Sequence, residues 1–122
     1  MLVKFDNGVE VDYDAYDAEM ADAYAEMTRN FMAAFSEKEE GKPGKCVREL
    51  FTAVSDGCNR LFGDGKGVEI CGNRPNMKIA ISVLSKLAES DSAQAAEFAP
   101  VLQDTLHNLG INIAPKMVSD AE

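Results

Sequence analysis

The sequence predicts a mainly α protein, a small helical bundle of four to five helices with a short N-terminal β-hairpin. Three observations predict it. Apolar residues alternate over the first thirteen positions and then recur at helical spacing from residue 14 onward. Glycine, proline and asparagine cluster between the periodic segments and mark their ends. At 122 residues the chain can bury one modest core and is too short for two. The expected organisation is a single domain, 1–122, with a hairpin at 1–13, a helical core at 14–110 and a tail at 111–122.

The hairpin rests on Val3 and Phe5, then Asp6-Asn7-Gly8, then Val9, Val11 and Tyr13. A two-residue Asn7-Gly8 turn would set each apolar residue opposite a charge. A three-residue loop instead pairs Phe5 with Val9 and Val3 with Val11 on one face and Lys4 with Glu10 on the other, with Gly8 in the left-handed position. An isolated hairpin is marginal in water, so its apolar face must lie on the helices that follow.

From Asp14 to about Glu40, Tyr16, Met20, Tyr24, Met27, Phe31 and Phe35 form one helical stripe. Asp14 is the expected N-cap, with Asp17 and Glu19 in the first turn beside the positive end of the helix dipole. Met32 falls on the other side of that helix and is an exposed apolar candidate. The charged segment from Glu37 to Lys45 ends in a Gly/Pro turn and is the natural linker. A second helix carries Val47, Leu50, Phe51, Val54, Cys58, Leu61 and Phe62 on one arc. Gly57 is a weak point in its interior, tolerable where a neighbouring helix approaches closely.

After the glycine-rich stretch FGDGKGVEICG, Val68 to Cys71 allow about one helical turn. Asn76 then caps a helix to about Glu89 with Met77, Ala80, Ile81, Leu84 and Leu87 inward. Ile79 and Val83 fall beside or away from that stripe, leaving apolar surface beyond what one packed face requires. A last helix is expected from near Ser92 to Gly110, with Phe98, Leu102, Leu106 and Leu109 facing in. Pro100 marks a kink in it or divides it, because mid-helix proline removes a hydrogen bond and clashes with the preceding turn. The tail from Ile111 alternates briefly and then frays.

Composition narrows the function. With 21 acidic against 12 basic residues the formal charge is −9, which argues against a nucleic-acid surface. No apolar run approaches the roughly 20 residues that span a bilayer, and no membrane partner is expected. Three cysteines without CxxC spacing, Cys46, Cys58 and Cys71, suit reduced, buried thiols in a cytosol.

The glycine-rich stretch fails as a ligand site position by position. Setting Gly65 at position 6 of a calcium loop makes Asp64 position 5 but puts Arg60, Phe62 and Cys71 where acidic ligands belong. A phosphate loop needs a preceding strand and a hydroxyl residue after the lysine, whereas here a helix precedes and Gly67 follows Lys66. The lone histidine, His107, gives no support to a zinc site or a nucleophile pair. Asp14, Asp17, Glu19 and Asp22 read as solubility and capping rather than acid/base machinery. No catalytic residue, metal or cofactor is expected.

Residues 46–84, CVRELFTAVSDGCNRLFGDGKGVEICGNRPNMKIAISVL, carry a recurring pattern: Arg48 in a helix that ends at Phe62-Gly63, a turn at Gly65, a short helix stopping at Gly72, and Asn76 opening the next. With the acidic, tyrosine-bearing opening GVEVDYDAYDAEMADAYAEM, this resembles the small tail assembly chaperones of long-tailed phages and prophages of Gram-positive bacteria. The resemblance covers Gly8 to Leu84. Lys66 replaces the usual small hydroxyl residue, and Cys71 stands where an aromatic is commoner.

The resemblance implies a non-enzymatic protein of the host cytoplasm, absent from the mature virion. Its copies would coat the helical, apolar tape measure protein until tail tube subunits polymerise around it and displace them. The tape measure protein is then the expected partner, with the tail tube protein and further copies of the chain as additional ones. From the surplus apolar positions, the candidate contacts are Ile79, Val83, Ile111 and Ile113. The competing reading is an acidic helical inhibitor of a basic, nucleic-acid-binding protein, whose binding would be salt-sensitive.

Overall fold

A computed structural model describes residues 1–37 and 40–111. Strands β1 (Leu2–Lys4) and β2 (Glu10–Asp12) precede helices α1 (Ala18–Ser36), α2 (Pro43–Phe62), α3 (Lys66–Cys71) and α4 (Met77–Asn108). The hairpin has the expected three-residue loop. Val3 faces Val11 and Lys4 faces Glu10, Phe5 N–H donates to the Val9 carbonyl at 2.9 Å, and Gly8 has φ +92°. Val3, Phe5, Val11 and Tyr13 are all buried against the helices, as an unstable lone hairpin requires.

Helix α1 starts later than its periodicity suggests. Asp17, not Asp14, is the N-cap, accepting from Met20 N–H at 3.0 Å. Asp14 instead closes a turn by accepting from Tyr16 N–H at 2.9 Å. Two closely spaced aspartates can each satisfy a free amide, and the chain uses them in succession. Within the stripe Met27 is buried, and Met20, Tyr24 and Phe31 pack on the core. Tyr16 and Phe35, at its ends, are about half exposed.

Helix α2 is the centre of the bundle, with α1, α3 and α4 all packed on it. Pro43 occupies its first turn, where a missing N–H costs nothing. At Gly57 the helix α1 comes close enough that a Cβ would lie 2.4 Å from Met27 Sδ and 2.8 Å from Met27 Cβ. The interior glycine therefore serves a close crossing. Arg60 and Glu26 tie the same two helices at the surface.

Gly65 (φ +89°) reverses the chain into α3, and Gly72 (φ +81°) stops it. Asn76 caps α4, accepting from Lys78 and Ile79 N–H at 2.9 and 3.2 Å. From there α4 runs unbroken for 32 residues, passing through Ser92 and Pro100. Among the described residues the bundle thus has four helices, and the expected break near residues 89–92 is absent. Ser90, Asp91 and Gln94 look like helix-ending residues in sequence, but they spend their polar groups on the hairpin exit.

Gln94 Nε2 donates to the Tyr13 carbonyl at 2.8 Å and to Ser90 Oγ at 3.0 Å. Its Oε1 accepts from Ala15 N–H at 2.9 Å. The buried Tyr13 hydroxyl donates to Asp91 Oδ1 at 2.7 Å. Burial first, then this bond to a carboxylate, pushes the Tyr13 phenol well above its ordinary range, and burial does the same to Tyr24.

The packing exchanges two assignments on α4, since Ile81 was expected inward and Val83 was not. The buried positions are Ala80, Val83 and Leu87, continued by Ser90 and Gln94, while Ile81 is about half exposed. The apolar residues of this segment span so much of the helix that several choices of buried face satisfy the periodicity. Phe98, Leu102 and Leu109 do not face a core, since the body ends before they are reached. All three cysteines are buried and reduced, as expected. The neighbouring Cys71 thiol, aided by burial, pushes Cys58 far above the usual thiol range, so it behaves as core rather than as a nucleophile.

Candidate functional site

The glycine-rich stretch is a structural joint. Gly63, Gly65 and Gly72 take positive φ values that disfavour other residues, and Lys66 pairs with its neighbour Glu69 at 3.0 Å. Gly67, which the sequence reading passed over, has the tightest role. Its N–H donates to Asn59 Oδ1 at 2.7 Å, and an added Cβ would lie 2.3 Å from the Ser55 carbonyl oxygen. Asn7 in the hairpin loop clamps the far end of α3, donating to the Glu69 and Ile70 carbonyls at 3.0 and 3.2 Å. Among the described residues no group of histidine, cysteine and carboxylate side chains is arranged to hold a metal ion.

The surface that stands out is apolar. Helices α1 and α4 both pack on α2 but leave a groove between them of about 520 Å³, lined by Phe31, Met32, Phe35, Ile81, Leu84 and Ala88, with Ser85 the only polar side chain among the described residues that line it. It exists because the α1 stripe runs past the body at Phe35 while α4 turns Val83 inward, which rotates Ile81 and Leu84 onto the rim. Met32 has 67% of its surface exposed, the highest value among the groove residues that are large and apolar. At the same end of the bundle Phe35, Pro43, Cys46, Val47 and Met77 line an adjoining depression. A chain of net charge −9 therefore keeps an uncharged trough on one side.

The contact residues expected from sequence are only partly here. Ile79 is exposed, but it lines a separate cleft of about 200 Å³ with Phe5, Asn7, Ile70 and Ser82, beside the hairpin loop. Val83 is 4% exposed and belongs to the core, so it is withdrawn as a surface contact. Ile111 is exposed just beyond α4, where Gly110 (φ +82°) and a bond from Ile111 N–H to the Leu106 carbonyl at 2.8 Å end the helix. Ile113 lies outside the described residues.

Met32 was legible as an off-stripe apolar residue. Phe35 and Ile81 were assigned inward because periodicity identifies an apolar face without saying where the neighbouring helix ends. No helix among the described residues is long and apolar enough to cross a membrane.

No curated protein and no solved structure matches the chain. Residues 7–107 match a family of unknown function, DUF6673, and because that match spans most of the chain, the protein belongs to this family.

Proposed function

We propose that the protein is a phage tail assembly chaperone, binding the tape measure protein and keeping it soluble until the tail tube polymerises around it. The observation that carries the reading is the uncharged groove between α1 and α4 on an otherwise strongly acidic chain. A trough walled by two helices and lined by Phe31, Met32, Ile81 and Leu84 accepts the apolar face of a third helix. The acidic remainder keeps a loaded chaperone from coalescing with others. The resemblance of residues 8–84 to tail assembly chaperones points the same way, and it supplies the identity of the client.

The test is co-expression with the cognate tape measure protein. Wild type should raise the client's soluble yield and co-purify with it, whereas Met32→Glu and Ile81→Glu should lose both effects while keeping a wild-type circular dichroism spectrum. Equal client solubility with and without the chain would sink the proposal. Raising ionic strength separates it from the acidic-inhibitor reading, since apolar binding persists in salt and charge pairing does not.

A further inference from the structure

Beyond the groove, whose α4 lining ends at Ala88, the second half of α4 carries an apolar face of its own. From residue 95 to 110 every residue but Leu106 is exposed. Phe98, Leu102, Thr105 and Leu109 recur at intervals of four, three and four, which keeps them on one side of the helix, and Val101 widens that side. Phe98 rests against the Tyr16 ring at 4.7 Å, so the face begins where the body ends and runs outward from this aromatic pair. Pro100 and His107 fall on the opposite side of the helix, and the proline ring leaves the face intact.

The face carries charge along one edge only. Glu97 and Asp104, seven residues apart, share an azimuth next to Val101 and stand about 10 Å from one another along the axis. The other edge has Ala95, Ala99 and Leu106. Both carboxylates are exposed, and among the described residues neither has an ion-pair partner. No lysine or arginine stands between Lys86 and Lys116.

We infer that this face docks an amphipathic helix of another protein, one whose apolar side is bordered by lysine or arginine residues about two turns apart. Charge makes the choice. A second copy brings the same acidic edge on a chain of net charge −9, and residues 112–122 of the same chain set Lys116 against Asp120 and Glu122, so like charge disfavours both. A cationic helix laid on Phe98, Leu102 and Leu109 instead brings its charges to Glu97 and Asp104. The chain then has two docking surfaces of different character, an uncharged groove and an acid-edged helix face.

The probe is a fluorescent helical peptide of about 18 residues, or five turns, with leucines on one side and lysines along one edge. It is titrated with the full chain at physiological ionic strength and followed by anisotropy. Wild type should bind it with a Kd of about 1–100 µM. Leu102→Glu should weaken binding at least about tenfold although it adds negative charge, which a diffuse attraction to an acidic protein would not do. Glu97→Lys with Asp104→Lys should lose the lysine-edged peptide by a similar factor and gain its glutamate-edged counterpart. Asp56→Lys with Asp64→Lys makes the same change in net charge at exposed positions elsewhere, and it should leave binding within about twofold. Val101→Glu replaces Leu102→Glu should the latter misfold by circular dichroism.

Equal binding by wild type and Leu102→Glu, no binding by wild type, or failure of the charge swap overturns the inference. Tighter binding on Ile113→Glu also overturns it, since the face would then belong to the chain's own tail. So does a concentration-dependent rise in sedimentation mass that Leu102→Glu abolishes, which would give the face to a second copy.

Discussion

Replacing Gly67 with Ala sets two effects of known size against each other. Gly67 lies in a helix without a positive φ, so helix propensity alone favours alanine by about 1 kcal/mol. The packing opposes it, because the new Cβ would sit 2.3 Å from the Ser55 carbonyl oxygen, 2.5 Å from Ser55 Oγ and 3.0 Å from Ser55 C. The closest of these atoms is backbone in the middle of α2 and has no rotamer by which to move aside. Helix α3 must instead retreat by about 1 Å, loosening Ile70 and Cys71 in the core and stretching the Gly67 bond to Asn59.

A backbone clash this close falls at the upper end of the about 1–3 kcal/mol that overpacking costs, and less the helix gain of about 1 kcal/mol it leaves a net loss of about 2 kcal/mol, or a Tm lower by about 6–10 °C. Urea unfolding followed by far-ultraviolet circular dichroism measures it, with Gly44→Ala as the control. At Gly44 the nearest atoms, from 3.3 Å outward, belong to the mobile guanidinium of Arg48, and the variant should be neutral or slightly stabilised. If Gly67→Ala unfolds at the wild-type midpoint or above, α3 does not sit against Ser55 as described and the reasoning fails.

Gly57→Ala should also destabilise, by about 1–3 kcal/mol, through its clash with Met27; a double-mutant cycle with Met27→Ala should show a loss smaller than the sum of the single losses, and strict additivity would contradict the close crossing. The raised Tyr13 phenol keeps its proton in the folded state at a pH where the unfolded chain has released it, so stability should be flat below about pH 10 and fall above it. Tyr13→Phe should shrink that alkaline loss while costing about 1–2 kcal/mol at neutral pH, through the lost bond to Asp91. Pro100→Ala restores an amide in an exposed stretch of α4; hydrogen exchange in residues 96–108 should slow several-fold with little change in global Tm, and equal exchange would show that the proline does not limit this stretch of helix.

Local chemistry decided much of this fold, and that part was legible in the sequence. The hairpin loop length follows from the pairing of six residues, and the turns at Gly65, Gly72 and Gly110 follow from backbone conformations that glycine alone adopts cheaply. Asn76 caps α4 because its side chain reaches amides only two and three residues away.

Tertiary structure decided what depends on a distant neighbour. Ser90, Asp91 and Gln94 could have ended a helix, and they continue it because Tyr13 and Ala15 take up their hydrogen bonds from about 80 positions away. Val83 rather than Ile81 faces inward because α2 and the hairpin occupy that side, a choice an apolar segment broad enough to bury several faces leaves open. The candidate site was hidden for the same reason. Periodicity marks Phe35, Ile81 and Phe98 as residues that want cover, but only the arrangement of the helices shows that the body stops short of them and leaves them exposed.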